Sequence, residues 1–355
     1  MWPYWVLFLI PAYWAICQMK PINNLLTSPA KGWSFRWNLV FLILVLMIGL
    51  RHEVGGDWAS YLLNMEYMDE FSPYTDPSNQ ILYWLGTNSG GGVYLVNLIS
   101  AVFFTFGLIE FCRDQPRPWL ALTVAVPYLI TVVAMGYTRQ GVAIGLAMLG
   151  IVALGRGSTV KFVFWVALAA TFHKSAVILV PLAILANTKR RIFTFLWVGV
   201  TAFFLFALLL REALDSLISG YIGDEYQSSG AAIRVAMNAL PAVIFLLFRN
   251  RFQLSQEQRS FWTWMALSAL LLVVALNISP SSTAVDRVAL YWIPLQLFVF
   301  SRLPGVLGSE SGRNSLLVYI IVAYSATVFF VWLFYGVHSM YWLPYQFYPW
   351  VWLWH

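Results

Sequence analysis

A small set of ionisable side chains interrupts or borders long apolar runs in this 355-residue sequence. Its members lie inside such runs or at their ends: Arg51, Arg139, His173, Lys174, Arg234, Asp286 and Arg287. A charge at membrane depth is costly, so a functional role is the first hypothesis for these residues. Arginines without matching buried acids indicate an anionic ligand, and the planar guanidinium fork suits diphosphate oxygens. We therefore predict a diphosphate-binding group consisting of Arg51, Arg139, Arg287 and Arg234.

The same residues include two candidates for a general base. Transfer of a glycosyl group from a lipid diphosphate requires cations that stabilise the leaving diphosphate. It also requires a base that takes the proton of the attacking sugar hydroxyl. The candidates are Asp57, which follows a Gly-Gly pair, and His173, and the sequence does not decide between them. We expect Tyr137, Gln140 and Ser175 to contribute polar lining to the site.

Several of these candidates also have a purely structural interpretation. Arg51 and Arg139 have side chains long enough to reach lipid headgroups. A single buried histidine such as His173 is commonly a hydrogen-bonded core residue. The Gly-Gly-Asp string at 55–57 is compatible with an ordinary loop turn.

Arg234 and the Asp286-Arg287 pair have structural alternatives of another kind. Arg234 has possible ion-pair partners in Asp224 and Glu225 across the membrane boundary. Asp286 suits the start of a helix, with Arg287 as a neighbouring surface charge. The sequence leaves these alternatives open.

The sequence predicts neither a metal site nor a cofactor. Three histidines, His52, His338 and His355, are too widely separated to give metal-ligand spacing. No Walker A string occurs, and no Gly-x-Gly-x-x-Gly joins a strand to a helix, so a nucleotide-activated donor is not expected. Cys17 and Cys112 form no Cys-x-x-Cys pair and suit small core positions.

Composition indicates the elements that must position these side chains. Hydrophobic residues make up 60% of the sequence and charged residues 10%, and the mean hydropathy is +0.72. A soluble domain has about 25% charged residues, which excludes soluble enzymes, secreted disulfide scaffolds and nucleic-acid-binding modules. Apolar runs of about 20 residues recur along the chain. We predict an all-α polytopic membrane protein with about ten full transmembrane helices.

Charge placement predicts the topology of a single transmembrane domain over residues 1–355. Most of the 21 basic residues lie in alternate connecting segments, which the positive-inside rule makes cytoplasmic. The other segments are outer loops, at 51–91 and 211–230, and an aromatic-rich outer tail at 337–355. This tail suits an interfacial anchor, or alternatively a stacking surface for sugar rings; its tryptophans are Trp342, Trp350, Trp352 and Trp354.

The apolar run at 162–187 does not fit simple alternation. Both of its ends are basic, yet its 26 residues are too few for two full crossings. A Phe-His-Lys-Ser string at 172–175 lies near its middle. We predict a broken, re-entrant hairpin of two half-helices whose polar tip contains His173, which requires a protein-walled or watery cavity. The alternative is one long tilted helix.

Three motifs give the sequence its resemblance to a known family. The string from Arg51 to Tyr61 resembles the Arg-x-x-x-Gly-x-Asp-x-x-x-Tyr signature of the EpsG family of Wzy-like exopolysaccharide polymerases. The strings at 138–143 and 172–176 are similar to later motifs of the family, in the same order. Asp286-Arg287 fits a weaker late motif, and the C-terminal third otherwise diverges from the family pattern.

The resemblance implies a membrane glycosyltransferase of bacterial surface-polysaccharide assembly, with a possible GT-C-like architecture. Such proteins join repeat units carried on undecaprenyl diphosphate, at the outer face of the inner membrane. The growing chain is transferred from its lipid onto an incoming unit, without a metal or cofactor. The implied partners are the lipid-linked donor and acceptor, the bilayer, and a flippase and chain-length regulator of the same pathway, with no nucleic acid.

Three other functions compete with polymerisation. A ligase would transfer lipid-linked glycan to another acceptor. A flippase or exporter would move the same lipid-linked oligosaccharide without chemistry. A membrane acyltransferase would use His173 but leave polymer length unchanged, and the outer arginines favour diphosphate chemistry over acyl transfer.

Overall fold

The structure is a computed structural model that describes residues 1–18, 32–66, 76–186, 199–200, 228, 230–308 and 315–354. Within these ranges the regular secondary structure is helical, and the β pairing is an isolated bridge between Arg51 and Phe347. The all-helical class is as predicted from the sequence. Almost all of the predicted apolar segment at 192–210 and of the outer loop at 211–230 lies outside the described residues.

The α-helices of these ranges follow one another as short and long elements. In chain order they are α1 (Trp2–Cys17), α2 (Phe35–Gly49), α3 (Trp58–Glu66), α4 (Pro77–Asn88), α5 (Gly92–Arg113), α6 (Pro118–Ala125), α7 (Thr138–Gly155), α8 (Thr159–Phe172), α9 (Val180–Ala186), α10 (Ala231–Phe248), α11 (Gln256–Ile278), α12 (Ser282–Ala289), α13 (Ile293–Val306), α14 (Ser315–Tyr335) and α15 (Tyr348–Trp354). A fully buried π-helix, Val126–Ala134, continues α6.

Six helical segments of the described chain are long and apolar enough to cross a membrane. They are Gly92–Arg113, Thr138–Gly155, Ala231–Arg251, Gln256–Ile278, Ser282–Val306 and Ser315–Tyr335. Shorter apolar helices accompany them at Trp2–Cys17, Phe35–Gly49, Pro118–Ala134 and Thr159–Phe172. The architecture is therefore that of a polytopic membrane protein.

Helix α7 occupies the centre of the fold. About 83% of its most apolar 18-residue window is buried inside the protein. It packs backbone to backbone on α5, since a Cβ on Gly107 would lie 1.9 Å from the Gly145 carbonyl oxygen. Small residues of this kind allow membrane helices to approach closely. The central helix thereby presents its N-terminal residues, Thr138 to Gln140, at a fixed position at one end of the bundle.

The predicted helix break at His173 is confirmed. Helix α8 ends at Phe172, and His173 is extended with φ −154° and ψ 108°. A 3₁₀-helix, Lys174–Leu179, then leads into α9. This geometry excludes the alternative of one continuous tilted helix.

The C-terminal tail folds back on the end of the bundle at which α7 begins. Trp342 is buried, and its indole Nε1 donates a hydrogen bond to the Thr131 carbonyl at 2.7 Å. Its backbone carbonyl accepts a hydrogen bond from the Tyr4 hydroxyl at 2.8 Å. Trp342 is thus a core residue and neither an interfacial anchor nor a stacking surface, whereas Trp350 and Trp352 are exposed.

Arg51 lies inside the fold, which corrects its prediction as a diphosphate-binding residue. Its side chain has no exposed surface, and its guanidinium donates to two backbone carbonyls, those of Ile48 and Val54. It also donates to the Asn97 side chain at 3.0 Å and to the Thr138 hydroxyl at 2.7 Å. A buried guanidinium must be satisfied by such acceptors, and here they join α2, α5 and α7. A ligand phosphate would have to displace them.

We expect Arg51→Gln to destabilise the fold strongly. The shorter amide leaves several buried acceptors without a donor, which should cost about 3 kcal/mol or more in free energy of unfolding. The thermal unfolding midpoint of the purified full-length variant in detergent measures this loss. The matched control is Arg156→Gln, because the Arg156 side chain is 50% exposed and pairs with Asp114 at 3.0 Å. An exposed ion pair contributes about 1 kcal/mol at most, so equal losses would contradict the interior role of Arg51.

Candidate functional site

The candidate site lies where helix α7 begins. The Thr138 backbone amide donates to the Tyr61 hydroxyl at 3.0 Å, and the Thr138 side chain accepts from Arg51. These two bonds satisfy groups at a helix N-terminus, where the first backbone N–H groups have no partner inside the helix. They fix the direction in which the next residues, Arg139 and Gln140, extend.

Asp57 is brought to this point by a close turn. Gly55 has φ +110°, and a Cβ there would lie 2.3 Å from the Met135 carbonyl oxygen, so only glycine fits. The Asp57 carboxylate accepts a long hydrogen bond of 3.4 Å from the Tyr61 hydroxyl. Asp57 belongs to the loop after α2, outside the membrane-spanning helices. Burial raises the pKa of its carboxyl, while the nearby positive charges of Arg287 and Arg139 oppose that rise.

Asp76 is a site residue that the sequence analysis misses. One oxygen of its carboxylate accepts from Arg139 Nη1 at 3.1 Å, and the other accepts from the Lys174 backbone amide at 3.2 Å. Burial raises the pKa of this carboxyl, and the Arg139 charge opposes the rise. In sequence, an aspartate before Pro77 looks like an ordinary helix N-cap. Its side chain caps nothing in α4 and instead joins α7 to the hairpin tip.

Helix α4 makes two further contacts with the hairpin. The Asn79 side chain donates to the Phe172 carbonyl at 2.8 Å, and the Ser78 hydroxyl donates to the Thr171 hydroxyl at 2.7 Å. Both acceptors lie in the last turn of α8. The carbonyl groups of a last turn, such as that of Phe172, have no hydrogen-bond partner within the helix. The loop helix therefore stabilises the break that exposes His173.

His173 lies in a small hydroxyl network. Its Nδ1 atom is in hydrogen-bonding contact with the Ser175 hydroxyl, and with the Tyr291 hydroxyl at 3.2 Å. Tyr291 is buried. It is not among the residues predicted from the sequence, because an aromatic residue within an apolar run has the pattern of a hydrophobic core residue. Arg139 is joined through Asp76 to the amide that follows His173, and Arg287 lies four residues before Tyr291. The structure thus brings His173, Ser175 and both arginines together.

Among the arginines of this group, Arg287 has the fewest polar contacts between its side chain and described residues. Its guanidinium lies over the Tyr137 ring, 4.9 Å from the centroid, and forms no ion pair with any described residue. Its backbone carbonyl accepts from Gln140 Nε2, while Gln140 Oε1 is buried without a partner in the described structure. Tyr137 and Gln140 therefore contact Arg287, beside the acidic and imidazole groups.

Arg234 is occupied by Asp286, which corrects two expectations. Its Nε and Nη2 atoms donate to the two carboxylate oxygens, each at 2.6 Å. This two-point geometry is the strong form of an arginine–carboxylate pair. Arg234 is therefore not available as a diphosphate-binding residue, and Asp286 is not a plain helix-start acid. The partners considered from sequence, Asp224 and Glu225, lie outside the described residues.

The arrangement combines complementary chemical groups at one end of the bundle. Arg139 and Arg287 supply positive charge, Asp57 supplies a carboxylate with little hydrogen bonding, and His173 supplies an imidazole. Among the described residues, no group of three or more His, Cys, Asp or Glu side chains could hold a metal ion. The site is suited to binding an anion beside a group that accepts a proton.

We expect the Arg234–Asp286 pair to show strong energetic coupling. Arg234→Gln and Asp286→Asn should each lower the free energy of unfolding by about 3 kcal/mol, because each leaves a largely buried charge unpaired. The double variant leaves two neutral amides and should lose about 2 kcal/mol less than the sum of the single losses. Unfolding curves of all four proteins complete the cycle. Additive losses would contradict the coupling.

Comparison with known proteins identifies the family of the chain. The model of the EpsG family matches residues 35–347, from the start of α2 to the residue before α15. No curated protein and no solved structure matches the chain. The matched range contains Asp57, Arg139, His173 and Arg287. Because the match covers nearly the whole chain, the protein belongs to the EpsG family, a family of Wzy-like polymerases.

Proposed function

We propose that this protein is a polysaccharide polymerase that joins oligosaccharide repeat units carried on undecaprenyl diphosphate. The reaction takes place at the outer face of the bacterial inner membrane, during synthesis of exopolysaccharide, capsule or O-antigen. The growing chain passes from its lipid carrier to an incoming lipid-linked unit. Membership of the EpsG family supports the polymerase-type activity. A flippase and a chain-length regulator would supply the units and control product length.

One observation carries the proposal. Arg139 and Arg287 each have side-chain donors that no described residue accepts, and both lie at this site. Arg139 donates to Asp76, which also accepts from the amide after His173, and Arg287 lies over the Tyr137 ring. Arg139 contacts one described carboxylate, through its Nη1 atom. Arg287 contacts no described carboxylate. A leaving diphosphate requires this kind of paired guanidinium support, because negative charge builds on it in the transition state.

The proposed step transfers a glycosyl group from the lipid-linked donor to a hydroxyl of the lipid-linked acceptor. A hydroxyl oxygen of the acceptor sugar attacks the anomeric carbon of the donor. The bond between that carbon and the diphosphate oxygen breaks, and undecaprenyl diphosphate leaves against Arg139 and Arg287. Asp57 takes the proton of the attacking hydroxyl, so the products are the lengthened chain on the acceptor lipid and the free carrier.

Hydrogen bonding favours Asp57 over His173 as the base. A base needs a lone pair that points to the acceptor hydroxyl. The Asp57 carboxylate receives one long hydrogen bond, whereas His173 Nδ1 is in contact with two hydroxyls. We assign the tautomer in which Nδ1 accepts from one of these hydroxyls, so the proton of the neutral ring is on Nε2. We assign His173 the role of holding a donor oxygen or the acceptor through that N–H.

The finer topology belongs to the same proposal. About ten full crossings result when the segments Trp2–Cys17, Phe35–Gly49 and Pro118–Ala134 and the apolar segment at 192–210 are added to the six long helices. The hairpin around His173 then enters the membrane from the cytoplasmic side without crossing it. Arg156, at the far end of α7, is about 26 Å from Arg139 along the helix axis. The basic segment at Arg156 supports a cytoplasmic location for that end, and an outer location for the site.

We expect Arg139→Gln and Arg287→Gln each to lower the polymerisation rate by about 100-fold or more, since each removes a charge that stabilises the leaving group. The assay uses the purified full-length protein with a synthetic undecaprenyl-diphosphate repeat unit, and scores the ladder of chain lengths. Arg156→Gln is the matched control, because it makes the same change at the opposite end of α7. Normal ladders from both site variants would contradict the site.

The same variants in cells separate the competing functions. A polymerase defect leaves single lipid-linked units at the outer face with normal protein levels. Long lipid-linked chains in the variants would indicate a ligase instead. Units trapped at the cytoplasmic face, together with no product from purified wild-type protein, would indicate a flippase or exporter.

We expect the acid limb of the pH–rate profile to lie above the usual aspartate value of about 3.9. Only ionised Asp57 accepts a proton, so activity is lost as pH falls through its raised pKa. Arg287→Gln removes a charge that lowers this pKa, so the limb should move to higher pH in that variant. His173→Asn should retain the limb. Disappearance of the limb in His173→Asn would assign the base role to His173.

A further inference from the structure

An open cavity lined by two arginines and several other polar residues lies at the opposite end of the bundle from the candidate site. It has a volume of about 410 Å³ and lies between the C-terminal end of α10 and the N-terminal half of α11. Its lining residues are Arg249, Asn250, Gln256, Arg259, Ser260, Thr263, Trp264 and Leu267. Arg249 follows Arg234 by fifteen residues along α10, which is about 22 Å of helix. The cavity is therefore at the other membrane boundary.

The charge in this cavity is uncompensated within the described structure. Neither Arg249 nor Arg259 takes part in the ion pairs among the described residues. The Nε atom of Arg259 is buried and has no hydrogen-bond partner there. A buried guanidinium nitrogen without an acceptor is costly. Glu257, the acidic residue closest in sequence, does not line the cavity.

An apolar stripe leads away from the same cavity along the outside of α11. Trp264 and Leu267 line the cavity, and the stripe continues through Leu271, Val274 and Ile278. Successive members are three or four residues apart, so they lie on one helix face. Leu271 is 65% exposed and Ile278 is 78% exposed. In a membrane-spanning helix, this face contacts acyl chains.

The cavity therefore contains two arginines and an indole, and it adjoins the row of exposed apolar side chains on α11. Tryptophan is enriched at the level of lipid headgroups, and basic pockets between helices at this level suit acidic lipid head groups.

We propose that this cavity binds the phosphate of an anionic glycerophospholipid, with the acyl chains along the stripe on α11. Arg249 and Arg259 would contact the phosphate oxygens. Free phosphate would use the arginines but not the apolar wall. A zwitterionic lipid would bring an ammonium group toward two guanidinium groups, which the local charge disfavours. The inference is independent of the polymerase proposal.

Lipid retention by the purified full-length protein tests the proposal. The probes are phosphatidylglycerol and phosphatidylcholine with the same acyl chains, added to detergent-solubilised protein and counted by native mass spectrometry. We expect phosphatidylglycerol to be retained preferentially. Arg249→Gln and Arg259→Gln should each weaken its retention by about fivefold, in line with the contribution of one basic residue to anionic-lipid binding.

Arg251→Gln is the matched control. Arg251 lies two residues after Arg249 and carries the same charge, but it does not line the cavity, and its guanidinium lies over the Phe248 ring. Retention by this variant should equal that of the wild type. Arg249 is exposed, so Arg249→Gln remains informative even if Arg259→Gln fails to fold.

Four results would overturn the proposal. Equal loss in Arg251→Gln would show a general charge effect, and equal retention of phosphatidylcholine would show a site that ignores headgroup charge. Displacement of the lipid by millimolar inorganic phosphate would assign the cavity to free phosphate. Stronger retention of undecaprenyl phosphate than of phosphatidylglycerol would assign it to the polyprenyl carrier.

Discussion

The buried guanidinium of Arg51 is the interaction on which the rest of this fold depends. A charge without exposed surface persists in a membrane protein only when protein groups satisfy its donors. Those groups belong to the end of α2, the following loop, α5 and the start of α7. The backbone bridge between Arg51 and Phe347 adds the C-terminal tail. One side chain therefore sets the mutual positions of the segments that surround the candidate site.

The arginines at and around the candidate site differ in how far their donors are already satisfied. Arg51 is enclosed by neutral acceptors, and Arg234 is held by both oxygens of Asp286. Arg139 donates to Asp76 through one of its nitrogens. Arg287 lies over an aromatic ring and has no carboxylate partner among the described residues. The arginines that support the structure are thus those whose donors are already hydrogen-bonded to protein acceptors. The two with remaining donors are the two to which the proposed function assigns diphosphate binding.

Much of this organisation was accessible from the sequence, because composition and charge placement reflect the bilayer directly. The helical class, the break at His173 and the grouping of Asp57, Arg139 and Arg287 all agree with the structure. The inward orientation of Arg51 was not accessible, since a snorkelling, a ligand-binding and a buried arginine have the same pattern in sequence. Asp76 resembles a helix cap until its partners in distant segments are known.

The break at His173 is satisfied by residues far away in the chain. Asn79 donates a hydrogen bond to the last carbonyl of α8, which is 93 positions away in the sequence. Asp76 accepts a hydrogen bond from the first amide after the break, which is 98 positions away. Exposed backbone groups at membrane depth are otherwise expensive. A peptide spanning only 159–186 would lack these partners and would favour an unbroken helix. The polar tip is thus a product of assembly: it acquires its shape only when the preceding loop helix docks on it.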